Sequence, residues 1–196
     1  MNKLKVLVFD DSELHRKSAQ KVLGDHDLVV VGDYDAAESA IESASNSGHV
    51  FDVVLTDLLV PASRKCQGST GRKFVGQEMP LGTTIALFAI CTGVKKVAVV
   101  TDMNHHDHPA SAAFDCFRHI NCRAEGVKVV CTNDVGSVAM DKETGEVVSR
   151  EFLDSDAGLM KYPFPEGQNW GDRAGLEFGK NWKYALEKLT DEYVGW

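Results

Sequence analysis

Along the chain, short runs of nearly unbroken apolar residues alternate with stretches in which apolar positions recur at helical spacing. Lys5–Phe9, Leu28–Val31 and Val53–Thr56 are rich in β-branched residues with almost no polar interruption. That is the pattern of strands covered on both faces of a parallel sheet. Val97–Thr101 and Val127–Cys131 extend the series to five. Between the first two, Ser12 is placed to cap a helix, Leu14, Ala19, Val22 and Leu23 form its apolar stripe, and Gly24 stops it. Asp35–Ser45 carries a second stripe built from alanines and Ile41, closed by Asn46-Ser47-Gly48. Gly82–Thr92, apolar almost all round, and Pro109–Ile120 predict two further helices.

Strand and helix alternate five times, which predicts an α/β architecture with helices on both faces of a parallel sheet, since each crossover is right-handed and helix-filled. The common five-stranded solution is a flavodoxin-like doubly wound sheet of order 2-1-3-4-5. At 196 residues the chain is expected to form one domain, 1–196. Two stretches depart from the simple pattern. Residues 62–81 make a glycine-rich, basic loop where a short turn would suffice, and loops of that length are usually functional or disordered. Residues 135–180 form an extension with a β-hairpin around Lys142–Gly145, followed by a Pro/Gly-rich aromatic stretch. Trp182–Tyr193 then reads as a C-terminal helix.

Composition narrows the class. With 43% hydrophobic and 26% charged residues the chain is that of a soluble globular protein. The apolar run after the basic start ends too early, at Asp10, to be a signal peptide, and no stretch has the roughly 20 apolar residues of a membrane span. A cytoplasmic location is expected. The five cysteines, Cys66, Cys91, Cys116, Cys122 and Cys131, show no CxxC spacing. They read as reduced thiols, three or four of them buried. The net charge of −8 disfavours binding to nucleic-acid phosphates.

In a doubly wound sheet functional groups belong at the carboxyl ends of the strands, and Asp10, Asp11, Asp57, Thr101 and Asp102 all fall there. Carboxylates converging from adjacent strands would raise one another's pKa values unless a cation sat among them. Asp10, Asp11 and Asp57 form the candidate metal site, and Mg2+ suits it, being hard and usually held by one or two carboxylates plus waters and phosphate oxygens. The plain alternative is that strand ends simply carry polar residues to the surface.

The segments KVLVFDDSELHRKSAQKVL, FDVVLTDLLVP and KKVAVVTD resemble the first, third and fourth strands of response-regulator receiver (CheY-like) domains. The resemblance spans about residues 3–134. It implies that Asp10 and Asp11 help bind magnesium, and that Asp57, with Pro61 four residues on, accepts a phosphoryl group from a histidine kinase or a small phosphodonor. It also implies that Thr101 contacts the phosphoryl oxygens. Carboxylates are usable phosphoryl nucleophiles once a metal neutralises charge.

The chain departs from the family where strand five ends. The lysine expected there falls on Asn133, and the aromatic residue three positions earlier is Val130. About 17 residues of added loop precede Gly82, the glycine that follows the proline in the family. Arg64, Lys65, Arg72 or Lys73 of that loop is a candidate substitute cation, a solvated basic loop being the alternative. GSTGRK within it lacks the P-loop spacing.

His105, His106 and His108, with Asp107, follow strand four and are a candidate second metal site for zinc or another transition metal. Surface or helix-capping roles are the alternative, Asp107 before Pro109 being a plausible helix start. Three functions remain in view. The first is an atypical receiver-like signalling module phosphorylated on Asp57. The second is a degenerate receiver that binds a protein partner through loop 62–81 or the aromatic tail, with Trp170, Trp182 and Trp196, independently of phosphorylation. The third is a haloacid-dehalogenase-type phosphohydrolase using Asp10 and Thr101, although the DxD spacing of that class is absent.

Overall fold

The computed structural model describes residues 3–102, 108–117, 123–124, 126–132, 135–149 and 175–190. Its centre is a sheet with five parallel strands: β1 (Lys5–Phe9), β2 (Asp27–Val31), β3 (Val53–Asp57), β6 (Lys96–Val100) and β8 (Val127–Thr132). They lie in the order β2-β1-β3-β6-β8, with the two-residue β7 (Arg123–Ala124) added antiparallel at the β8 edge. The fold is therefore α/β and flavodoxin-like in general kind. All five residues of β3, the central strand, are buried, as its unbroken apolar run requires.

Helices cover both faces. On one side α2 (Tyr34–Asn46) and α3 (Leu81–Cys91) pack Ile41, Ala37, Ile85 and Ala89 against Leu7, Phe9, Val54 and Val97. On the other, α1 (Glu13–Val22) and α6 (Trp182–Thr190) bring Ala19, Trp182, Ala185 and Leu189 against Val6, Val8, Leu55 and Ala98. The alternation of side chains along each strand assigns Val6 and Val8 to one face and Leu7 and Phe9 to the other. Ser12 caps α1 by accepting the N–H of His15, and Asp33 caps α2 by accepting that of Ala36. No helix among the described residues is long and apolar enough to cross a membrane.

The inserted loop folds back on itself. Two-residue strands β4 (Val60–Pro61) and β5 (Glu78–Met79) pair antiparallel, Ala62 bridges to Val75, and Gly71–Phe74 makes a 3-10 turn. The predicted Pro109–Ile120 helix is broken: α4 (Pro109–Ala112) and α5 (Phe114–Phe117) are separated by a turn at Ala113, and residues 118–120 lie outside the described residues.

A second, three-stranded antiparallel sheet has the order β10-β9-β11. β9 (Ser137–Asp141) and β10 (Val147–Ser149) flank a turn in which the Asp141 carboxylate accepts the N–H groups of Glu143 and Thr144. β11 (Leu176–Lys180) pairs with β9 along its whole length and leads through Asn181 into α6.

Burial of the cysteines differs from the expectation. Cys91 and Cys116 are exposed and Cys66 and Cys131 half-buried, because they fall at a helix end, on a short outer helix, in the inserted loop and on a strand near the sheet edge. Cys122 lies outside the described residues.

Candidate functional site

Register brings the acidic residues together. Phe9 pairs with Thr56, which sets Asp10, the next residue, level with Asp57, and Asp57 in turn pairs with Val100, directly before Thr101 and Asp102. Because all three strands run the same way, their side chains leave the sheet at one edge. Asp10, Thr101 and Asp57 are all buried, Asp10 completely. One carboxylate oxygen from each of Asp10, Asp11 and Asp57 lies within 4.8 Å of the others.

The backbone around this edge is tightly held. The Asp10 Oδ1 atom accepts the Ser12 N–H at 2.9 Å, and the Arg16 guanidinium donates to the main-chain oxygens of both Asp10 and Asp11. Asp57 Oδ1 accepts the N–H of Leu58 at 2.8 Å, while Thr56 Oγ1 donates to the Asp57 carbonyl oxygen. α3 starts against the same carbonyl. A Cβ on Gly82 would stand 1.7 Å from Asp57 O, so only glycine fits there.

The cation of the site comes from a residue that sequence reasoning missed. Lys180, at the end of β11, is 2% exposed and places Nζ 2.8 Å from Asp10 Oδ2, 2.7 Å from Asp57 Oδ1 and 3.4 Å from Asp102 Oδ1. The position expected for the family's lysine, Asn133, lies outside the described residues, and a different lysine reaches Asp57 from the C-terminal sheet. The basic loop does not supply it. Arg64, Lys65, Arg72 and Lys73 are exposed; Lys65 pairs with Glu38 at 3.3 Å, and Arg64 and Arg72 line an open cavity of about 250 Å³ with Val75.

His15, on α1, ties Lys180 in place. Its Nδ1 accepts the main-chain N–H of Lys180 at 3.2 Å, so in the neutral ring the proton sits on Nε2 and is donated to Asp102 Oδ2 at 3.1 Å. The His15 carbonyl accepts the Trp182 indole N–H at 2.9 Å. Ser18 Oγ lies within hydrogen-bond reach of the carbonyls of His15 and Lys180. Strand and helix approach so closely that a Cβ on Gly179 would stand 2.5 Å from the Ser18 Cβ.

Electrostatics follow from burial and charge. Burial is the main cause that pushes the Asp57 carboxyl up to about 7; Lys180 pulls it down, while Asp10 and Asp102 push it further up. Asp11 is also raised, by burial first and then by the Asp10 charge. Burial works against the Lys180 ammonium, but the charges of Asp57, Asp10 and Asp102 outweigh it and hold the group protonated. The hydrogen bond from His15 lowers Asp102, whose side chain is more than half exposed, so its longer contact to Lys180 is the weakest of the three.

Asp10, Asp11 and Asp57 bring three carboxyl groups against one ammonium, with Asp10 and Asp57 buried. The cluster offers hard oxygen donors from two strand ends, the donor type a divalent cation takes, and Asp57 is still 11% exposed. Asp10, Asp11 and Asp57 are the residues that would hold it.

Of the histidine cluster, His105 and His106 lie outside the described residues. His108 is the N-cap of α4, its Nδ1 accepting the N–H of Ala110 at 3.1 Å. Trp182 is fully buried against the sheet, whereas Trp170 and Trp196 lie outside the described residues. No protein-family model and no curated protein sequence matches the chain.

Proposed function

We propose that the chain is an atypical receiver-like signalling module that accepts a phosphoryl group on Asp57, with Mg2+ held by Asp10, Asp11 and Asp57 and with Lys180 as the cation facing the incoming group. The observation that carries this reading is the 2.7 Å contact of Lys180 Nζ with Asp57 Oδ1 beside two further carboxylates. A nucleophilic carboxylate, a cluster of hard oxygen ligands and a fixed ammonium are the three parts that metal-assisted phosphoryl transfer needs.

In the transfer step an Asp57 carboxylate oxygen attacks the phosphorus of a phosphohistidine or acyl phosphate donor. A P–O bond to Asp57 forms as the bond to the leaving group breaks, and the leaving group departs with the electron pair. When bound, magnesium supplies charge neutralisation for the phosphoryl oxygens. Lys180 and Thr101 contribute donors at the same strand edge, and the burial of Asp10 limits access of bulk water from its side. Asp57, with 11% of its side chain exposed, is the more accessible of the two central carboxylates. The phosphohydrolase alternative is less favoured, because it needs the wholly buried Asp10 as nucleophile.

A specific observation also favours a second reading. Lys180 and the N–H groups of Ser12 and Leu58 already occupy both oxygens of Asp10 and Oδ1 of Asp57, the atoms a metal would take, which suits a degenerate receiver that serves as a phosphorylation-independent interaction module. Treatment of the protein with acetyl phosphate, with and without Mg2+, separates the two. The phosphoacceptor reading expects magnesium-dependent addition of one phosphoryl group by intact mass, lost in Asp57→Asn. An unlabelled but folded wild-type protein would leave only the interaction module.

A further inference from the structure

Lys180 does not belong to the sheet that carries the acidic residues. It closes β11, which pairs with β9 in the separate three-stranded sheet, and its side chain crosses to the carboxyl edge of β1 and β3. The attachment of β11 to the rest of the protein is otherwise made largely through α1. The Lys180 N–H bonds to His15, the Trp182 indole bonds to the His15 carbonyl, and Gly179 lies against Ser18. These contacts are all neutral, whereas the buried ammonium answers directly to the charge at Asp57 and Asp10.

We infer that β11 is the element that reads the occupancy of the acidic pocket: a phosphoryl-like anion on Asp57 tightens the docking of β11 on α1 through Lys180. This regulation rests on the phosphoacceptor reading of Asp57.

The charge change gives its direction. A magnesium ion among Asp10, Asp11 and Asp57 competes with the ammonium for the same carboxylates. A trigonal or tetrahedral anion on Asp57 then replaces a monoanionic carboxylate with a more highly charged acceptor within reach of Nζ. Lys180 is fully enclosed, and its main chain is fixed by His15 and by the close Gly179–Ser18 approach. Because the side chain has no solvent into which to retreat, a stronger or weaker hold on Nζ is felt by the strand. The signal leaves through the added sheet.

Hydrogen exchange of the full chain, read by mass spectrometry on peptides covering residues 176–182, tests the inference. Samples contain Mg2+ alone or Mg2+ with beryllofluoride, and fluorine NMR of the same samples reports whether beryllofluoride is bound. The expected result is exchange slowed about tenfold or more in the wild type when beryllofluoride binds, equivalent to about 1.4 kcal/mol of added protection. Lys180→Met, isosteric but uncharged, is expected to lose that slowing when loaded to the same fluorine signal, and Asp57→Asn to show neither signal nor slowing. Bound beryllofluoride with unchanged or faster exchange over 176–182 in the wild type overturns the inference and leaves the phosphoacceptor reading standing. Slowing of equal size in Lys180→Met also overturns it. Absence of any bound fluorine signal in the wild type overturns the phosphoacceptor reading, and the inference with it.

Discussion

Lys180 Nζ sits 2.7 Å from Asp57 Oδ1 although the two residues belong to different sheets, one closing the C-terminal strand β11 and the other ending the central strand β3. The same ammonium reaches Asp10, so one side chain joins two parallel strands to an appended structure. The pair ties the acidic pocket to the stability of the fold.

Lys180→Met leaves Asp10 and Asp57 buried without their counter-charge. Removing one partner of a buried ion pair typically costs about 3–5 kcal/mol. Urea unfolding at pH 7.5 should show a loss of that order, with much of it recovered when Asp57→Asn is added. A loss below about 1 kcal/mol would mean that water or another group reaches the carboxylates in place of the ammonium.

The raised Asp57 carboxyl makes metal-free stability depend on pH. In the folded protein this group keeps its proton up to about 7, while the unfolded chain releases it near 3.8. Between those values the folded state binds more protons, so the contribution of Asp57 to stability falls as pH rises from 3.8 to about 7 and levels off above that. The wild-type chain should lose stability relative to Asp57→Asn between pH 5 and 8 in denaturant titrations with chelator present. Parallel curves for the two proteins would contradict it.

Magnesium binding competes with that proton. Its affinity should strengthen as pH rises through about 7, and binding near pH 6.5 should release protons, visible as a buffer-dependent heat in calorimetry. Asp11, also raised, adds to the same trend. Asp57→Asn should weaken the affinity and flatten its pH dependence, because one ligand charge and one titrating group are removed together.

Gly82→Ala tests the start of α3. Its methyl group would stand 1.7 Å from the Asp57 carbonyl oxygen, and backbone rather than a flexible side chain must move. Overpacking of this kind costs about 1–3 kcal/mol, occasionally more. The displacement falls on the residue proposed to carry the phosphoryl group, so acetyl phosphate labelling should slow along with the loss of melting temperature. Gly93→Ala, at a left-handed position (φ +105°) whose nearest contact is 3.9 Å, should destabilise through backbone strain without touching the labelling rate.

Local pattern was enough for the central sheet and the acidic pocket. Unbroken β-branched runs such as Val53–Thr56 have to be buried on both faces, and strands that all run one way deliver the residues following them to one edge. Asp10 and Asp57 could therefore be brought together on paper, because each lies where an apolar run stops and their separation depends only on register. Lys180 carried no such mark. In LEFGKNW it is an ordinary lysine in the Pro/Gly-rich extension, and nothing in its neighbours tells that the segment forms a strand that pairs with β9 and leans on α1 through Gly179. His15 was equally silent, reading as a polar position on an amphipathic helix although it bonds to both Lys180 and Asp102. Periodicity describes which way a segment faces relative to its own axis. Which distant charge it meets depends on how separate sheets pack, and only the tertiary structure decides that.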